Sequence, residues 1–155
     1  MLSRTTPKLL LASLTLLAMQ PASAATRAPA HPTLRTVAEQ SGNQRTGRYA
    51  EIERLCPAYQ QTWPNQVRCF EFGRTPEGRP MLALVASAPG VLDAAAAHRA
   101  QRPIVFMQGG IHAGESDGKD AGLHVLREML DGTTAKGALA AVTFVFVPVL
   151  YADGH

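Results

Sequence analysis

Residues 103–150 constrain the fold more than any other part of this 155-residue chain. The run Ile104–Gln108 is almost wholly apolar, begins after Pro103 and stops at Gly109-Gly110. That composition reads as a central strand covered on both faces. A helical pattern follows over 116–131. Leu123, Leu126, Met129 and Leu130 form its predicted buried side, and Asp120, His124, Arg127, Glu128 and Asp131 its wet side. Gly132 stops the helix, 133–137 is a loop, and 142–150 is again apolar and rich in β-branched and aromatic residues. Strand, helix and strand in this order make a βαβ unit, so the two strands are expected to be parallel with a right-handed crossover.

The segment before this unit supplies three more elements. From Thr46 a helix is predicted, because Tyr49, Ile52, Leu55, Cys56 and Tyr59 recur on one face at three- and four-residue spacing. Trp63-Pro64-Asn65 ends it. Residues 67–72 and 81–86 have strand composition, and Pro76 and Glu77-Gly78 between them supply turn chemistry, which predicts an antiparallel hairpin. Residues 91–101 read as a short helix or a mobile connection. The chain shows no internal repeat and no coiled-coil heptads.

The N-terminus reads as a targeting segment. Arg4 and Lys8 form a basic start, 9–19 is apolar but too short to span a bilayer, and Ala22-Ser23-Ala24 matches a cleavage site. Residues 1–24 are therefore expected to be a signal peptide, and the protein to be exported to a periplasmic or extracellular compartment. Its removal leaves 131 of the 155 residues, enough for one small domain. It also leaves 13 of the 15 basic residues against all 12 acidic ones, a formal charge of +1. The basic residues form no run, which argues against nucleic acid as the main partner. Residues 25–45, polar and rich in small side chains, read as a flexible leader. Cys56 and Cys69 are either one disulfide or two buried thiols, and an oxidising compartment favours the disulfide. Closing so short a loop would contribute about 3 kcal/mol.

His112 and Glu115 are the candidate metal ligands. They lie just past the end of the predicted strand at 104–108, where open α/β sheets gather their ligands. Three-residue spacing points both side chains the same way. An imidazole and a carboxylate that converge suit Zn²⁺ or a similar divalent ion. The spacing also fits a solvated helix start, with Glu115 complementing the helix dipole and His112 filling a loop. His124 is expected at the surface, paired with Asp120. His31, His98 and His155 fall in weakly structured segments, and Arg74, Arg79 and Arg127 are expected in turns or on solvated faces. No serine or cysteine sits in a nucleophile motif such as G-x-S-x-G, so covalent catalysis has no support.

Four stretches resemble the zinc metallocarboxypeptidase family of the carboxypeptidase A type. Residues 46–55 are similar to its opening helix. Gly73-Arg74-Thr75-Pro76-Glu77-Gly78-Arg79-Pro80 is similar to its G-x-S-x-E-G-R turn, with threonine for serine. Gly110-Ile111-His112-Ala113-Gly114-Glu115 is similar to its first zinc motif. Pro148-Val149-Leu150-Tyr151-Ala152-Asp153-Gly154-His155 is similar to its P-x-x-N-x-D-G strand end, with tyrosine where asparagine is usual. The resemblance runs over 46–155. It implies a three-layer α/β/α fold with a mixed, mostly parallel sheet, truncated after a central βαβ unit, so that 46–155 is the N-terminal part of a catalytic domain. It implies that His112 and Glu115 bind Zn²⁺, and that a third ligand, a general base and a substrate-binding arginine lie beyond residue 155. No catalytic residue is assigned within this chain. The implied activity is zinc-dependent hydrolysis of a peptide bond near a free carboxylate, on a peptide or a peptidoglycan stem peptide. The alternatives are an inactive or binding-only fragment and a related zinc acylase or amidase. The E-G-R-P turn and the opening helix favour the carboxypeptidase group. Alone, the chain is expected to be inactive and poorly soluble, with 142–150 as an exposed edge strand.

Overall fold

The computed structural model describes residues 31–155. The signal peptide expected at 1–24 lies outside the described residues. The chain forms an α/β structure around a mixed, open sheet of four strands: β1 (Val67–Arg74), β2 (Pro80–Ala86), β3 (Ile104–Gln108) and β4 (Thr143–Val147). The order across the sheet is β1-β2-β4-β3. β1 and β2 are an antiparallel hairpin, β2 pairs antiparallel with β4, and β3 pairs parallel with β4, Phe106 lying opposite Val145. Helices α1 (Val37–Gln40), α2 (Ala50–Thr62), α3 (Ala94–Arg99), α4 (Asp117–Leu130) and α5 (Ala138–Ala141) complete it, with 3-10 turns at Pro32–Leu34 and Ala152–Gly154.

The main core lies between α2, α4 and the sheet. The expected face of α2 is buried throughout, from Tyr49 to Tyr59. Leu123 and Leu126 of α4 meet Leu84, Phe146 and Val149 in the same cluster. Met129 and Leu130, expected in the core, are half-buried. Gly122 lets α4 come close to the sheet, since a Cβ there would lie 2.2 Å from Cζ of Phe146. Cys56 on α2 is bonded to Cys69 on β1, across a Cα–Cα distance of 5.4 Å.

Three expectations are corrected. β3 is an edge strand among the described residues, and Ile104, Val105 and Phe106 are 48, 44 and 60% exposed. Of the two parallel strands, the one with neighbours on both sides is instead β4, expected at an edge. An apolar run records a need for cover but not the element that provides it. Arg127, placed on the wet side of α4, is buried and forms a two-pronged contact with the Glu39 carboxylate, Nη1 donating to Oε2 at 2.8 Å. Residues 31–45, read as a flexible leader, are packed over their described length. Leu34 and Thr36 are fully buried, and Thr36 and Glu39 form a capping box at the start of α1.

The polar seam between residues 31–51 and α4 explains both of the last two differences. Lys119 is 0% exposed and donates to Glu51 Oε2 at 2.7 Å, Asp120 Oδ1 at 2.8 Å and the Gly47 carbonyl at 3.1 Å. Glu51 Oε1 in turn accepts from the Val37 N–H at 2.7 Å. Each buried charge is partnered, as burial requires. Lys119→Ala leaves Glu51 buried without its cation, and urea unfolding is expected to show a loss of about 3–5 kcal/mol.

Glu39 makes the same seam sensitive to acid. Burial acts to raise its pKa, but the Arg127 hydrogen bond, the Thr36 N–H and the charges of Arg127 and His124 together hold it below the ordinary value of 4.5. A carboxyl depressed on folding contributes stability that is complete above its unfolded pKa and is lost as pH falls through the folded one. Unfolding free energy is therefore expected to decline as the solution is acidified below about pH 5, and Glu39→Gln should flatten that decline.

Candidate metal centre

The loop after β3 holds both predicted ligands. The β3–β4 pairing continues past the strands, with the Gly109 N–H donating to Val147 O at 2.9 Å and the Leu150 and Tyr151 N–H groups donating to the carbonyls of Gly109 and Gly110 at 3.0 and 2.8 Å. Gly110 turns the chain with φ +55°, and a Cβ there would sit 2.9 Å from Val149 Cγ1. Only glycine fits such an approach in that backbone region. The chain then passes through His112 to the start of α4.

The structure brings His112 and Glu115 together. His112 Nδ1 lies 2.8 Å from Glu115 Oε1, and the His112 N–H donates to Oε2 at 3.1 Å. Both side chains face solvent, at 76 and 54% exposure. The His112 side chain, and then its backbone N–H, hold the Glu115 carboxyl below its usual range, so it is ionised at neutral pH. An open depression of about 420 Å³, lined by Gln108, Gly110, Glu115 and Gly118 among others, lies at the carboxyl end of β3.

This donor pair fits a zinc ion in part. Two ligands about 2.1 Å from one tetrahedral ion stand about 3.4 Å apart, so the pair needs to open by only a fraction of an ångström. The carboxylate carries the charge a cation requires, and solvent can reach both donors. Among the described residues, no group of three or more His, Cys, Asp or Glu side chains is placed to hold a metal. His112 and Glu115 are thus two donors of the four that zinc usually takes.

The other histidines lie elsewhere. His124 bridges two carboxylates, with Nδ1 3.2 Å from Glu39 and Nε2 3.1 Å from Glu128, rather than pairing with Asp120. His31 Nε2 is 3.0 Å from Asp131. His155 lines a smaller cavity with Gly47, Gly114 and Ser116, where burial first and the Lys119 charge second lower its pKa. Arg74 and Arg79 belong to the hairpin turn, as expected. Sequence reasoning missed Lys119, four residues past Glu115 in the first turn of α4. A lysine at that spacing on the buried face, next to Asp120 and downstream of Glu51, was the available signal.

Comparison with known proteins places the fold that carries this loop. Solved structures similar to it include carboxypeptidases. Carboxypeptidase A from Helicoverpa armigera matches with a TM-score of 0.60 and 24% identity, over 70% of this chain and 25% of that one. A metallo-carboxypeptidase from Burkholderia cenocepacia matches with a TM-score of 0.52 and 27% identity, over 68% of this chain and 27% of that one. This chain spans about a quarter of the length of either. Comparison with curated proteins gives no match. Residues 52–155 match the zinc carboxypeptidase family, and the chain belongs to it. Zinc is the metal that this family implies.

The His112 hydrogen bond is the first cause of the low Glu115 pKa. In His112→Ala the Glu115 carboxyl is expected to titrate at higher pH than in the parent protein, read from its side-chain carbon shift by NMR.

Proposed function

We propose that residues 46–155 form the N-terminal part of a zinc metallocarboxypeptidase domain, and that His112 and Glu115 are two of its zinc ligands. The observation that supports this reading best is the 2.8 Å approach of His112 Nδ1 to Glu115 Oε1 just past β3, in a chain of this family. The domain's reaction is hydrolysis of a peptide bond near a free carboxylate. Zinc, when bound, supplies Lewis-acid chemistry toward the peptide carbonyl. The chain's own residues hold and orient. His112 offers an imidazole nitrogen, Glu115 stays ionised beside it, and the two glycines keep the floor of the site free of side chains. The third ligand, the general base and the arginine for the substrate carboxylate are assigned to no residue here.

The substrate class is a peptide, and no feature of this surface singles out the peptidoglycan stem peptide. Export to a periplasmic or extracellular compartment belongs to the same reading. The targeting pattern at 1–24 and the Cys56–Cys69 bridge support it.

NMR titration with Zn²⁺ tests the ligand assignment. The parent chain is expected to bind one zinc ion, with shifts centred on the amides of residues 110–115. His112→Ala and Glu115→Gln should each weaken binding at least about tenfold. Binding that neither substitution weakens would remove both residues from the site. Two donors hold zinc too loosely for turnover. The 155-residue chain alone is therefore expected to release no C-terminal residue from a peptide.

A further inference from the structure

The loop that carries His112 rests on the segment after β4, and that segment is held from its far side by the β1–β2 hairpin turn. On the near side, Val149 packs under Gly110, and Gly154 stands so close to the loop that a Cβ on it would lie 3.0 Å from Ala113 Cβ. These contacts fall on either side of His112. On the far side, Asp153 is the anchor. Its side chain is 9% exposed, with Oδ1 accepting from Thr75 Oγ1 at 2.6 Å and Oδ2 from the Glu77 N–H at 3.2 Å. Arg79 Nη1 donates to the carbonyls of Ala152 and Asp153 at 3.1 and 3.2 Å. The Arg79 N–H donates to Thr75 Oγ1 at 3.0 Å, so the threonine hydroxyl joins the turn to Asp153. The turn thus grips the 3-10 segment through a carboxylate and two carbonyls.

We propose that Asp153, clamped by Thr75 and Arg79 of the hairpin turn, is a positioning residue that sets the height and angle of the His112 loop. The inference rests on the zinc reading above for its functional meaning. None of the three side chains bonds His112 or Glu115. They act through backbone, by fixing the platform on which Gly110 and Ala113 sit. His112 is exposed and is held by its hydrogen bonds to Glu115 and by the loop backbone, so its placement depends on that platform. Outer groups that orient a metal ligand commonly change metal affinity by about ten- to a hundredfold.

The test is Zn²⁺ titration of the full chain, followed by the amide shifts of residues 110–115. Thr75→Val removes the hydroxyl and keeps the shape of the side chain. It is expected to weaken Zn²⁺ binding about tenfold, and Thr75→Ser, which keeps the hydroxyl, should restore it. Arg79→Ala should weaken binding in the same direction, and it decides the matter if Thr75→Val does not fold. Val67→Ala is the control. It empties a buried position at the other end of the same hairpin and should lower thermal stability without changing zinc affinity.

The proposal is overturned if Thr75→Val and Arg79→Ala bind zinc as the parent does, or if Val67→Ala weakens binding equally. His112→Ala separates this from failure of the zinc reading. If zinc binding survives that change, the ligand assignment fails and the affinity arm fails with it. The metal-free spectra then still decide the mechanical link. Thr75→Val should shift the amides of His112 and Gly114, and Val67→Ala should not.

Discussion

Lys119 carries its charge where no water reaches it, and much of the structure around the site is arranged by what that charge needs. A buried ammonium without partners is costly enough that the chain must bring oxygens to it. It receives them from the Gly47 carbonyl, from Glu51 on α2 and from Asp120 on its own helix. Glu51 spends its other oxygen on the Val37 N–H, and Asp120 accepts from the Thr46 hydroxyl at 2.6 Å. Val37, the Thr46-Gly47 pair and Glu51 are thereby tied to the first turn of α4. Glu115 lies four residues before Lys119, just ahead of α4, so the network that neutralises a buried cation anchors the helix start beside the candidate centre.

The approach of α4 to the sheet depends on missing side chains. Gly118 and Gly122 are four residues apart on one face of the helix. Gly122 receives the Phe146 ring, and Gly118 lies against Gly109 at the end of β3. A Cβ on Gly109 would meet the Pro148 carbonyl at 2.7 Å. Each of these positions would cost less backbone entropy with alanine. They remain glycine because helix, strand end and the chain leaving β4 share one narrow space. That convergence puts a helix start and a strand end side by side, where α/β folds present ligands.

The sequence revealed the local periodicities and concealed the long-range pairings. The apolar face of α2, the β1–β2 hairpin and the parallel pairing of β3 with β4 were all legible from spacing, because each depends on neighbours within one or two elements. The adjacency of His112 and Glu115 was legible for the same reason. Arg127 was not, because its burial depends on Glu39, 88 residues earlier in the chain. The order of the last two strands was not, because β3 and β4 have similar composition and only the tertiary structure decides which is enclosed. Residues 31–45 looked disordered from composition alone. Their order comes from Leu34, the Thr36–Glu39 cap and a partner helix whose polar face faces inward.

The contact between His112 and Glu115 has two opposed effects on metal binding. It holds the donors in register, so little ordering is left to occur when an ion arrives. It is also a charge-assisted hydrogen bond that an ion must break, since zinc takes the lone pair of an unprotonated imidazole. The Glu115 pKa is lowered first by this same hydrogen bond, so an ion that breaks it must make good the stabilisation it gave the carboxylate. A pair of this kind discriminates against weakly bound, purely oxygen-seeking cations, for which imidazole is a poor ligand. It favours an ion that gains enough from nitrogen to replace the proton. Selectivity at the exposed end of β3 then comes from the chemistry of two side chains and the platform beneath them, with no enclosing cavity required.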